Sequence, residues 1–160
     1  MTIAVGDPLP DVELRTMGRE GPRSVRSGDV LGKGKVVLFA VPGAFTPTCS
    51  ELHLPGFVVR ADDLHAKGVD RIACLSVNDA FVMGAWARDH NVGDSVLMLA
   101  DGNCDFTRAM GLEMDGSGLG FGARSQRYAA IFEDGVLTSL FVEKGPGLDV
   151  SSAEAVLSKL

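Results

Sequence analysis

An α/β architecture, a central mixed sheet flanked by helices, follows from three features of the chain. A continuous apolar run at residues 36–41 reads as a strand covered on both faces. Apolar runs at 71–77 and 96–100 are separated from it and from each other by stretches of helical character, the pattern of parallel crossovers. Finally, the runs 126–132 and 136–142 flank Glu133-Asp134-Gly135, and an Asp-Gly pair between two apolar runs signals an antiparallel hairpin.

In chain order, an N-terminal arm leads to residues 25–31, expected as a hairpin strand, and then to the central strand. A helix is expected from about residue 48 to residue 67, stopped by Gly68; Pro55 inside it lacks the N–H a helix needs and must kink or divide it. The strand at 71–77 is followed by a helix over 80–90 that Asn78-Asp79 opens as a cap. After the strand at 96–100 come a short helix at 106–111, the hairpin, and a closing helix over 151–160 with Ser151 or Ser152 as its cap and Glu154 near the capping-box position. The order βαβαβαββα is the thioredoxin-like arrangement. No internal repeat or linker interrupts it, so one domain over residues 1–160 is expected.

Composition narrows the function. With 160 residues, 46% of them hydrophobic, and a mean hydropathy of +0.17, the chain can close a core without staples. Its 20 glycines against 7 prolines fit many tight turns rather than a disordered tract. A formal charge of −6 and a pI near 5.0 argue against a nucleic-acid partner, and the segment richest in arginine, 15–26, is interrupted by Glu20. Three cysteines, an odd number, behind a start with neither the basic region nor the apolar core of a secretory leader, fit a reducing, cytoplasmic setting. The longest apolar stretch, 36–45, contains Pro42 and is too short to span a bilayer.

Cys49 stands after the Pro/Gly/Thr turn that follows the central strand, where a helix is expected to begin. The thiolate is the nucleophilic form of cysteine, and the unpaired N–H groups and positive dipole end of a helix start favour it. A lone cysteine before a helix is more simply a small buried hydrophobe, and a turn rich in proline and threonine is more simply an ordinary strand-to-helix loop. The wider pattern decides between these readings.

The string Pro42-Gly43-Ala44-Phe45-Thr46-Pro47-Thr48-Cys49 matches the P-x-x-x-T-x-x-C signature of the peroxiredoxins. With VPGAFTPTCSELHLPGF, RIACLSVNDAFVMGAW and GARSQRYA, it resembles the type II, or fifth, subfamily over nearly the whole chain, closest to the bacterial and plant-like members. That resemblance implies a thioredoxin-like fold and reduction of hydrogen peroxide and organic hydroperoxides, with Cys49 attacking one peroxide oxygen and becoming a sulfenic acid. It implies Thr46 as a hydrogen-bond donor to peroxide or sulfur, Pro42 as a shield against water, and the N–H groups of Thr48 and Cys49 as further donors. It places the family's arginine on Arg127, a permanent cation that favours the thiolate and steadies the departing oxygen, with Arg124 as a neighbour of the same type.

The resemblance also bears on resolution of the sulfenic acid. Plant-like members carry a cysteine that looks equivalent to Cys74, with a resolving role; the residues themselves read equally as a buried strand position, from which a disulfide would need local unfolding around Cys49. The mammalian-type pattern has its resolving cysteine in the segment 147–151, where Val150 stands here, so that mechanism is absent. Cys104 reads as an exposed incidental thiol. A one-cysteine cycle is therefore expected, with glutathione and glutaredoxin as reductant, or thioredoxin.

His53, four residues after Cys49, is one helical turn away and invites a Cys–His pair, but a thiolate already favoured by a helix end and an arginine needs no base. His65 and His90 read as surface residues. No zinc spacing and no CxxC pair occur, and no cofactor or metal is expected. The glycines of 118–122 read as a flexible approach to the Arg127 strand, and 32–35 as a turn. Phe45, Phe81, Met83 and Trp86 should be mostly core, although Phe45 and 80–86 lie where members of the subfamily pair, so a homodimer is expected. Two further classes use the same residues: a non-enzymatic peroxide sensor or redox-regulated holdase, which oxidises once and waits, and a binding module, in which Cys49 is inert.

Overall fold

The computed structural model describes residues 1–145 and 147–160. Its organising element is the apolar run, which forms β3 (Lys35–Val41). Side chains alternate across a strand, and here both faces are covered: Val37, Phe39 and Val41 enter one core, Val36, Leu38 and Ala40 the other. Beside β3 lie the parallel β4 (Arg71–Ser76) and the antiparallel β8 (Tyr128–Glu133). Beyond β4 run the parallel β5 (Leu97–Ala100) and then the hairpin of β1 (Glu13–Gly18) and β2 (Gly21–Arg26); beyond β8 runs β9 (Val136–Val142). The seven strands are thus ordered β2-β1-β5-β4-β3-β8-β9, a mixed sheet. The β8–β9 turn is Asp134-Gly135 with φ of 50° and 81°, the left-handed pair that a two-residue hairpin requires.

The helices cover this sheet. α2 (Leu54–Val59), α3 (Ala61–Ala66), α4 (Ala80–Asp89) and α6 (Ala153–Leu157) contribute residues to the core on the Phe39 side, where the Phe39 and Phe57 rings stack with centroids 4.0 Å apart. α1 (Ser27–Val30) and α5 (Asp105–Met110) belong to the Leu38 side, where Phe106 and Met110 are buried. Asp79 caps α4 by accepting the N–H of Val82 at 2.8 Å, and Asp101 opens α5 by accepting from Phe106 N, Thr107 N and Thr107 Oγ1. A small antiparallel pair, β6 (Glu113–Asp115) and β7 (Ala123–Ser125), carries the approach to β8.

Several expectations are corrected. Residues 25–31 are not one strand: β2 ends at Arg26 and α1 follows, because Ser27 Oγ accepts Val12 N–H and donates to Pro10 O, turning the chain there. The helix expected over 48–67 is three pieces, a π-helical turn Cys49–His53, then α2 and α3. The break falls where Pro55 has no N–H to give, and Leu54 N instead reaches Cys49 O in the wide i+5 bond. Of the two serines expected as the cap, Ser152 fills that place, but α6 spans Ala153–Leu157 only rather than 151–160. Cys104 is buried rather than exposed, at a left-handed φ of 66° where the chain enters α5. Phe45 and Phe81 stand out of the core, half or more exposed, whereas Met83 and Trp86 are buried in it. His65 is exposed, but His90 is half-buried against the Trp86 ring.

Candidate active site

The site forms where β3 ends. Parallel pairing of β3 with β4 brings the loop after Val41 beside the loop after Ser76, and Asn78 joins them by accepting from Ala44 N–H at 3.0 Å and from Ser76 Oγ. Within the first loop Thr46 Oγ1 donates to Gly43 O at 2.7 Å, and Ser50 N–H donates to Thr46 O at 2.9 Å, starting the helical path just before Cys49. Phe45 takes a left-handed φ of 65°, a conformation that costs a side-chain-bearing residue of order 1 kcal/mol and persists because these bonds hold its neighbours. A Cβ at Gly43 would lie 2.7 Å from Arg124 Nη1 and 3.2 Å from Thr46 Cγ2, so a side chain there would push the end of Arg124 aside. Arg124 occupies that space to brace the loop, donating from Nη1 to Pro42 O and from Nε to Phe121 O, both at 3.1 Å.

Cys49 is wholly buried in the π-helical turn. Arg127, immediately before β8 and only 7% exposed, donates from Nη2 to the Cys49 sulfur at 3.0 Å. Its other terminal nitrogen, Nη1, donates to His53 Nδ1 at 2.9 Å. A guanidinium can only donate and a carbonyl can only accept, so His53 must carry its proton on Nε2, which donates to Ser151 O at 2.9 Å. Burial first, and the Arg127 charge second, lower the His53 pKa from 6.5 to about 3, which keeps the ring neutral and Nδ1 open to Arg127. The ring packs tilted against both members of the Phe39–Phe57 stack, with centroids 4.9 and 5.6 Å away. His53 is therefore a partner of the arginine and makes no hydrogen bond to the cysteine.

The carbonyl that fixes His53 is itself held. Glu143 Oε2 accepts from Ser151 N at 2.9 Å, Ser151 Oγ at 2.7 Å and Asp149 N at 2.8 Å. Burial raises the Glu143 carboxyl, but these donors and the Val150 N–H outweigh it and leave the group below its ordinary value. Glu143 N–H also donates to Arg127 O at 3.0 Å.

The remaining cysteines are unlike Cys49. Cys74 lies in β4, flanked in register by Phe39 and Met98 and fully buried; burial first, then the nearby Cys49 charge, pushes its thiol well above the ordinary range. Burial and then Asp101 raise Cys104. All three are free thiols. Trp86, the chain's single tryptophan, donates from Nε1 to Ser50 Oγ at 3.0 Å, next to Cys49. A groove of about 900 Å³ lies elsewhere, at the Arg71 end of β4, away from the cysteine. Among the described residues no group of three or more His, Cys, Asp or Glu could hold a metal ion.

Of the residues singled out from sequence, Cys49 and Arg127 meet, Thr46 and Pro42 form the adjoining loop, Arg124 braces it, and Cys74 sits in the sheet behind. Asn78, Glu143 and the Ser151 carbonyl were not foreseen as parts of the site. In the sequence Asn78 and Ser151 carry only a capping signal, and a Glu near a strand end carries no local signal.

Residues 4–157 match the Redoxin family model. Peroxiredoxin-2E-2, chloroplastic, of Oryza sativa subsp. japonica is 54% identical, covering 99% of this chain and 73% of that protein. Peroxiredoxin-2B of Arabidopsis thaliana is 45% identical over 99% of this chain and 98% of its own. The crystal structure of reduced Prx3 from Vibrio vulnificus in complex with hydrogen peroxide superposes with a TM-score of 0.94 at 54% identity, covering 99% of both chains.

Proposed function

The chain belongs to the peroxiredoxin family and is a thiol-dependent peroxidase; from that premise we propose that Cys49 is its peroxidatic nucleophile, with Arg127 and Thr46 as transition-state donors and Pro42 as shield. The supporting observation is the Arg127 Nη2 to Cys49 Sγ hydrogen bond of 3.0 Å, made to a cysteine that is fully buried. The thiolate attacks one peroxide oxygen, an S–O bond forms as the O–O bond breaks, and sulfur gives up two electrons to the peroxide. The departing oxygen leaves as water or alcohol after taking a proton, and the product is the Cys49 sulfenic acid. Charge moves from sulfur to the leaving oxygen, so a fixed cation already hydrogen-bonded to the sulfur stabilises the transition state without reorganising. Thr46 gives its one hydroxyl hydrogen to Gly43 O in the resting site, so acting as a donor to the peroxide requires that hydrogen to turn from the carbonyl to the bound oxygen; the N–H groups at the start of the π-helical turn complete the donor set.

Hydrogen peroxide and alkyl hydroperoxides are the proposed substrates. An external thiol, glutathione with glutaredoxin or else thioredoxin, is the proposed reductant in a one-cysteine cycle, because Cys74 is packed inside β4 with its thiol held protonated. A cytoplasmic setting accords with three free cysteines. A homodimer, using the exposed Phe45 and Phe81 rings, is part of the same proposal; Phe81→Glu should then lower the sedimentation coefficient to that of a monomer.

The test is peroxide consumption with each reductant, together with peptide mapping after one equivalent of hydrogen peroxide, for the wild type and Cys49→Ser. Turnover lost in Cys49→Ser, with oxidation of the wild type confined to Cys49, is the expected result; a Cys49–Cys74 disulfide would replace the one-cysteine cycle, and an unmodified Cys49 would overturn the assignment.

A further inference from the structure

Four residues form a closed hydrogen-bonded circuit around the arginine. Arg127 Nη1 donates to His53 Nδ1, His53 Nε2 donates to Ser151 O, Ser151 N and Oγ donate to Glu143 Oε2, and Glu143 N returns to Arg127 O. His53 and Arg127 are buried, and Ser151 is fully so. From this geometry we infer that Glu143 and Ser151 are positioning residues for the peroxidase reaction: by seating the Ser151 carbonyl they select the His53 tautomer, and through it the aim of Arg127 at the Cys49 sulfur.

Each link constrains the next. A guanidinium on a flexible stem has many rotamers, and only those that put Nη1 on an acceptor and Nη2 on the sulfur are productive. The acceptor exists only while Nδ1 is bare. Nδ1 stays bare only while Nε2–H has a better partner, and in this pocket that partner is Ser151 O. The carbonyl is not part of a regular element: it lies in the turn between β9 and α6, and would wander if the turn were free. Glu143 prevents this, since a single carboxylate oxygen gathers the donors of Asp149 and Ser151. The same residue's backbone grips Arg127 O, so β9 registers both ends of the arginine, backbone and head group.

Charge–hydrogen-bond networks of this kind act as units, and a displacement of about 1 Å in a reacting group costs up to about 100-fold in rate. The inference rests on Cys49 being the nucleophile, and the experiment separates the two. Ring ¹⁵N NMR, with His53→Gln to assign the resonance, reads the tautomer whatever Cys49 does; stopped-flow oxidation of Cys49 by hydrogen peroxide reads the aim of Arg127. Wild type should show one tautomer, protonated at Nε2. Glu143→Ala should show exchange between tautomers and oxidise about tenfold more slowly, and Glu143→Gln, whose amide oxygen can still accept these donors, should restore both readouts to within about twofold. Ser151→Ala, which keeps the carbonyl and loses only the hydroxyl, should slow oxidation about two- to threefold and guards against a Glu143→Ala that does not fold.

An unchanged tautomer in Glu143→Ala overturns the inference, whether or not the rate falls, and so does a Glu143→Gln as slow as Glu143→Ala. If neither readout moves in Ser151→Ala, that also overturns it. If Cys49 fails to oxidise in the wild type while the tautomer responds as stated, the assignment of the nucleophile fails and the circuit stands.

Discussion

Lowering the pH from about 7.5 to about 5 loads a proton onto His53 in the unfolded chain but not in the folded one. The ring titrates at its ordinary value of 6.5 when unfolded and at about 3 when folded. The unfolded state therefore binds more protons throughout this window, and stability falls as the pH falls. At pH 5 the unfolded ring is about 1.5 pH units below its midpoint while the folded ring is still neutral, so the loss is about 2 kcal/mol at roughly 1.4 kcal/mol per unit. His53→Gln removes the titration while leaving an acceptor for Arg127 and a donor for Ser151 O. Glu143 does not confound the comparison: its depressed carboxyl contributes stability that is present above its ordinary value of 4.5 and lost only as the pH falls through its lower folded value, beneath the window. Urea unfolding of reduced protein at several pH values should show wild type losing about 2 kcal/mol more than His53→Gln between the two ends. Parallel curves, differing by less than about 0.5 kcal/mol, would refute the neutral, Nε2-protonated His53 on which the geometry of Arg127 depends.

Three other outcomes follow from named contacts. Arg127→Lys cannot bond His53 and Cys49 from two ends of a rigid fork, so the rate of Cys49 oxidation should fall about 100-fold in stopped-flow assays, and a loss under threefold would contradict the role given to the guanidinium. Gly43→Ala drives a methyl into Arg124 Nη1 and Thr46 Cγ2, and peroxide consumption should drop about tenfold as the Pro42 loop shifts; an unchanged KM and kcat would show that the loop tolerates it. Tyr128 is fully buried and its hydroxyl finds no hydrogen-bond partner among the described residues, so Tyr128→Phe should be neutral or raise unfolding free energy by about 1 kcal/mol, whereas a loss above about 1 kcal/mol would reveal a bond that the hydroxyl makes.

What could be read from sequence was what local pattern encodes. The run at 36–41 announces a doubly covered strand because every one of its side chains is apolar, and Asp134-Gly135 announces its hairpin because few other pairs accept two positive φ angles. β1 escaped notice because Glu13 and Arg15 alternate with buried Leu14 and Thr16, a short mixed pattern that an edge-proximal strand shares with loops. Pro55 marked a break, but only tertiary packing chooses a π-helical turn over a simple kink. The site divides the same way. The Cys49 loop is contiguous and was legible; its contact with Arg127, 78 residues away, came from family resemblance, since no periodicity links them. Glu143 and Ser151 act through a carbonyl and backbone N–H groups, which every residue possesses, so their identities reveal little until the chain is folded. Cys104 misled because a turn rich in polar residues looks exposed even when one side chain points inward.

Trp86 turns the position of Ser50 into an optical property of the molecule. An indole whose N–H is held by a hydroxyl one residue from the Cys49 sulfur senses both the local dipoles and the integrity of that hydrogen bond. As the chain contains no other tryptophan, its emission has a single origin and needs no deconvolution. Oxidation of Cys49, release of Arg127, or unwinding of the π-helical turn would each alter the field at that ring. The protein thus carries its own label beside Cys49, and oxidation of that residue should register as a change in emission in millisecond mixing experiments without dyes, tags or coupled enzymes.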